Sequence, residues 1–128
     1  MSGKISRNRT GKVCHRPVFD PVVTMASVQG DDNLLRELIG LLLESVPGNL
    51  SQIRDAIVRE DSLGLERSAH ELRGAVKIFG ASYVYENSLA LEQMGRCGDL
   101  SNAQRCYARL VNEMGELEQG LADFIKAG

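Results

Sequence analysis

The sequence predicts an all-α protein, an up-down antiparallel four-helix bundle with an additional short helix or helices at its N-terminal end. Three observations carry this. Apolar residues recur at spacings of three and four over most of the chain, and no segment of useful length alternates with a period of two. Helix-starting acids and helix-ending glycines punctuate that pattern at short intervals. Leu, Ala and Glu are plentiful and Trp is absent among the 128 residues, a leaning toward helix rather than sheet.

Taken in order, Asp20-Pro21 reads as a helix start, an N-cap acid followed by Pro at the first helical position. Val22, Val23, Met25, Ala26 and Val28 then make a short apolar helix that stops at Gly30. Asp31-Asp32 opens the next helix with acids at its positive end. Its Leu34, Leu35, Leu38, Ile39, Leu41, Leu42 and Val46 wrap more than half the circumference, so this helix is expected to be well covered. Pro47 lacks the N–H that a helix interior needs, which predicts a break or bend there, with Pro47 starting a separate helix. That helix uses Leu50, Ile53, Ile57 and Val58 and ends near Glu60. Asp61 is placed to cap a helix over 62–79, with Gly80 in its C-terminal capping position. A further helix over 82–96 draws on Val84, Leu89, Leu91 and Met94 before Cys97-Gly98-Asp99 turns the chain. The last helix, over 101–126, spaces Ala103, Cys106, Tyr107, Leu110, Met114, Leu117, Leu121 and Phe124 by three and four. Connections of a few residues favour antiparallel neighbours.

A chain of this length makes one domain, with no room for a second catalytic module. Residues 1–16 hold Lys4, Arg7, Arg9, Lys12 and Arg16 and no acid, leaving −7 on the remainder of a chain whose formal net charge is −2. Residues 1–18 therefore read as a basic flexible tail or linker and 19–128 as the folded domain. The acidic body argues against nucleic acid as the main partner. No apolar run approaches a membrane span, and the first residues lack a secretory hydrophobic stretch. Cys14, Cys97 and Cys106 are an odd number without CxxC spacing, which fits free thiols and a cytoplasmic location. Metal ligands are not clustered, since His15 lies in the tail and Cys97 and Cys106 are far apart along the chain. Neither GxxxxGK(S/T) nor GxGxxG occurs, so no nucleotide loop is expected.

The most informative residue is His70. At about 100° per residue, Leu65, Ser68, Leu72, Ala75, Val76 and Phe79 form one small or apolar stripe roughly opposite it. Arg73, Gly74 and Lys77 fall on the side of His70. The only histidine of the folded part is thus expected to face solvent beside two cations and a residue without a side chain. An exposed imidazole is a nucleophile that titrates near neutral pH. Gly74 costs about 1 kcal/mol against Ala in a helix interior, and it leaves bare backbone where another protein could approach.

The string His70-Glu71-Leu72-Arg73-Gly74, followed by Gly80-Ala81, resembles the signature of the histidine-containing phosphotransfer (HPt) domain family. That signature reads His-x-Leu-Lys-Gly, then a small pair, then Gly-Ala at the helix end. Asp61, Leu91-Glu92 and Gly98-Asp99 fit the family pattern as well, and the resemblance extends from about Phe19 to Phe124. One departure is Arg73 in place of the usual lysine, which keeps the charge and changes the geometry.

The resemblance implies a phosphorelay carrier that accepts a phosphoryl group on His70 from a receiver-domain aspartate and passes it to another response regulator. It implies response-regulator receivers and a sensor or hybrid histidine kinase as partners, a monomer, and neither nucleic acid nor membrane. It implies no cofactor of the chain's own; Mg²⁺ belongs to the partner receiver. Such a chain is a phosphotransfer carrier without an ATP site, not a self-sufficient kinase. On this reading Arg73 supports the phosphate electrostatically and Gly74 gives clearance. Lys77, Glu71, Glu66 and Glu92 are candidate partner-binding residues, with Glu92 placed on the neighbouring helix to meet the imidazole or Arg73. The competing readings are a non-catalytic helical interaction module and the phosphoacceptor domain of a chemotaxis-type or hybrid kinase.

Overall fold

The computed structural model describes residues 18–127, in five helices: α1 (Pro21–Ser27), α2 (Asp32–Val58), α3 (Ser62–Lys77), α4 (Ser82–Cys97) and α5 (Ala103–Ala127). The expected tail, with Cys14 and His15, lies almost wholly outside the described residues. The starts of α1, α2 and α3 are set by the acids that the sequence offers. The Asp20 carboxylate accepts from the N–H groups of Val22 and Val23 (2.9 and 3.4 Å), that of Asp31 from Leu34 (3.1 Å) and that of Asp61 from Gly64 (2.9 Å). Gly80 and Gly98 adopt left-handed φ of 61° and 76° beyond the ends of α3 and α4.

The four long helices close a ring in which α2 packs on α3 and α5, and α4 packs on α3 and α5. Inside it lie Ile39, Val46 and Ile53 of α2, Leu65, Leu72 and Val76 of α3, Leu91 of α4, and Leu110, Met114, Leu117 and Leu121 of α5, all essentially without solvent contact. Helix α1 lies over the C-terminal end of α3. The Asp20 N–H and the Thr24 hydroxyl donate to the Phe79 carbonyl, and the Ser27 hydroxyl to that of Ile78, answering acceptors that a helix end otherwise leaves open. Phe19 packs edge-on against Phe124 of α5 with ring centroids 5.5 Å apart.

Three expectations are corrected. Helix α2 runs unbroken through Pro47. Pro47 sits on the exposed side of α2, so the carbonyl of Leu43 that loses its helical donor is not sealed in the core. Val46 before it and Ile53, Ala56 and Ile57 after it are buried in the same core, and that shared burial holds the two halves as one rod. Nor is α2 well covered all round: Leu34, Leu41 and Val58 are exposed, Leu41 to 57%. The stripe of α3 shifts slightly, with Ala69 fully buried and Ser68 only half-buried.

Candidate functional site

His70 lies in the middle of α3, where Asp61 fixes the helix start and Leu65, Ala69, Leu72 and Val76 fix the buried face. Its own side chain keeps 65% of its surface in solvent, as the helical register predicts. Helix α4 approaches α3 closely because Gly95 has no side chain; a Cβ there would stand 2.6 Å from both the Glu66 nitrogen and the Ser62 oxygen. That approach brings the α4 side chains Tyr85, Glu92 and Arg96 against the His70 turn of α3.

The centre of the site is Glu92, whose side chain is only 3% exposed. Its Oε2 lies 2.9 Å from His70 Nδ1, and its Oε1 accepts from Arg73 Nε at 2.6 Å. Arg73 Nη2 adds a longer bond to Oε2 at 3.4 Å, and Arg96 Nη2 donates to the same oxygen at 3.2 Å. Arg73 is further held by Tyr85, whose hydroxyl accepts from Nη1 at 3.2 Å and whose ring faces the guanidinium 5.6 Å away. Arg96 in turn reaches back to α3, donating from Nε to Glu66 Oε2 at 3.0 Å.

The electrostatics follow from those partners. The Arg73 guanidinium and, after it, the His70 hydrogen bond hold the Glu92 carboxyl below its ordinary value, outweighing the upward push of burial. Glu92 raises Arg73 in return, with help from the Tyr85 hydroxyl. An ionised carboxylate only accepts, so the proton of a neutral His70 belongs on Nδ1, pointing at Glu92. Arg73 Nη2 lies 3.1 Å from the same Nδ1, and with the ring proton on that nitrogen its hydrogen bond is the one to Glu92 Oε2 at 3.4 Å. The lone pair is left on Nε2, on the ring edge away from the buried carboxylate. A ring so held is an oriented nucleophile with an anion behind it.

Gly74 stands one turn beyond His70 with nothing within 4 Å of where a Cβ would be, so the fold itself does not require glycine there. Glu71 and Lys77 are exposed on α3 and take no part in the hydrogen bonds around Glu92. Arg73 is 22% exposed, and its guanidinium is committed to Glu92 and Tyr85. Sequence reasoning missed Arg96 and Tyr85. The signals were there: Arg96 follows Glu92 by one helical turn, a favourable acid-to-base order, and Tyr85 precedes Glu92 by two turns on one face of α4.

With this geometry in hand, the comparisons agree. The family model of the Hpt domain matches residues 37–120, and the chain belongs to that family. The fold is shared with the crystal structure of histidine-containing phosphotransfer protein B (HptB) from Pseudomonas aeruginosa PAO1. That match has a TM-score of 0.82 at 18% identity, covering 89% of this chain and 99% of the other. Among curated proteins none matches. The chain is thus a histidine phosphotransfer domain of two-component phosphorelay signalling, a family whose members generally interact with receiver domains and histidine kinases. No helix among the described residues is long and apolar enough to cross a membrane.

Proposed function

We propose that His70 Nε2 accepts a phosphoryl group from the phospho-aspartate of one receiver domain and delivers it to the aspartate of another. The observation that carries this reading is an exposed imidazole whose Nδ1 is tied to a buried carboxylate, leaving Nε2 as the only free ring nitrogen. In the forward step Nε2 bonds to phosphorus in line as the aspartyl P–O bond breaks, and the aspartate leaves as a carboxylate. Mg²⁺ bound by the receiver would supply positive charge for the oxygens in transit. As the N–P bond forms, positive charge grows on the ring. Glu92 is already in place to stabilise it, so no reorganisation is needed at the moment of transfer. Nδ1 keeps its proton throughout. The return step reverses each bond change.

Arg73 acts here as a positioning residue that holds Glu92 charged and oriented. Gly74 leaves the helix surface open to the receiver. The test is label transfer from a phosphorylated receiver in the presence of Mg²⁺. Wild type is expected to acquire an acid-labile, base-stable phosphate, and His70→Gln to acquire none. Labelling that survives His70→Gln would overturn the assignment.

A further inference from the structure

Beside His70 lies an open cavity of about 370 Å³ walled by Leu63, Glu66, Arg67 and His70 of α3 and by Glu92 and Arg96 of α4. The two helices are antiparallel, so Glu66, one turn before His70, meets Arg96, one turn after Glu92. The four side chains form a chain of contacts across the cavity floor: Glu66 to Arg96 at 3.0 Å, Arg96 to Glu92 at 3.2 Å, and Glu92 to His70 at 2.9 Å. Arg96 and His70 bond the same carboxylate oxygen. Arg73 has all three of its guanidinium nitrogens engaged with Glu92 or Tyr85. Arg96, by contrast, is 62% exposed, and its anchor on Glu66 is a bond between groups at the surface.

Resting on the reading of His70 as phosphoacceptor, we propose that Arg96 is the cation that receives the phosphoryl group, and that Glu66 is a latch holding Arg96 until that group arrives. A phosphoryl dianion on His70 adds two charges and three acceptor oxygens beside Arg96. Those outcompete a single, partly exposed carboxylate for the guanidinium. Arg96 then leaves Glu66 for the phosphoryl oxygens, and it returns to Glu66 when the group departs. Glu66 thereby weakens the hold on the phosphoryl group in proportion to its own hold on Arg96. This keeps the phosphohistidine ready to transfer onward. No bond beyond those of phosphotransfer is made or broken.

The charged groups facing the cavity are Glu66, Arg67 and His70 from α3 and Glu92 and Arg96 from α4, and the experiment separates them. The full chain is phosphorylated chemically with phosphoramidate: Nε2 bonds to phosphorus, the P–N bond breaks and ammonia leaves. Phosphorus NMR then follows the second ionisation of the phosphoryl group against pH. A guanidinium on the oxygens favours the dianion and lowers the midpoint. Arg96→Ala is expected to raise the midpoint, and Glu66→Gln to lower it, each by roughly half a pH unit or more. Arg96→Lys is expected to fall between Arg96→Ala and wild type. In the Arg96→Ala background Glu66→Gln is expected to have little further effect, because Glu66 acts through Arg96. An equal shift from Glu66→Gln in both backgrounds would overturn the latch, since Glu66 would then act directly by its charge. An unchanged midpoint in Arg96→Ala, or a larger rise in Arg67→Ala, would overturn the role of Arg96. Failure of wild type to form any phosphohistidine would instead overturn the reading of His70 itself.

Discussion

A carboxylate taken out of water is costly unless its oxygens are answered by donors. Glu92 meets that condition with two arginines and an imidazole. Its charge therefore serves the site without being a weak point of the fold. Glu92→Gln retains the shape and removes the charge, so phosphotransfer is expected to slow at least about tenfold while His70 stays exposed. The variant also reads out the ion cluster through pH. Glu92 is held below its ordinary value of 4.5, so its stabilising contribution is complete above that pH and is lost as pH falls through the lowered folded value. The unfolding free energy of wild type minus that of Glu92→Gln, measured by urea titration, should fall with acidification below 4.5. Parallel pH curves would contradict it.

Gly74 makes a second argument at this scale, because its cost and its use separate cleanly. A Cβ there meets nothing within 4 Å, so Gly74→Ala should raise stability by about 0.5–1 kcal/mol through helix propensity alone. Gly74→Gln should also fold normally, yet transfer phosphate almost as poorly as a protein lacking His70. A Gly74→Gln protein with normal transfer would show that the receiver does not approach over this turn.

At the scale of elements, the sequence was most readable where one residue decides an outcome by itself. Asp20, Asp31 and Asp61 cap helices because a carboxylate before an apolar run has nearby N–H groups to meet. Their starts are found where local chemistry puts them. The exposed register of His70 was equally local. Pro47 was misread because its intrinsic cost is local while the forces that override it are not: Val46, Ile53 and Ile57 are held by α3 and α5. Pro47→Ala should accordingly restore a helical hydrogen bond to the Leu43 carbonyl and raise stability by about 1–2 kcal/mol, net of the greater freedom of the unfolded chain. A loss of stability in thermal unfolding would mean that α2 depends on the proline. The cross-helix half of the site was illegible for the same reason. Arg96, Tyr85 and Gly95 acquire their roles from the depth and register at which α4 meets α3, and neither helix encodes that alone.

For the molecule as a whole, the ring of four helices does one thing for function: it makes α3 a rigid rail with one side buried and the other presented. Helix α1 closes the end of that rail at Phe79, while α4 supplies the charges behind His70. Everything the chain contributes is preorganised: the tautomer, the backing anion and the open surface at Gly74. On the proposed function, metal and phosphodonor come from the partner. That division of labour rests on one atomic assignment, Nε2 as the phosphoryl-bearing nitrogen. Nitrogen NMR of the imidazole, before and after phosphorylation, tests it most directly. The account predicts a neutral ring protonated at Nδ1 before reaction and, afterwards, coupling to phosphorus at Nε2 with the Nδ1 proton retained. Phosphorus found on Nδ1, or a resting ring protonated at Nε2, would contradict it.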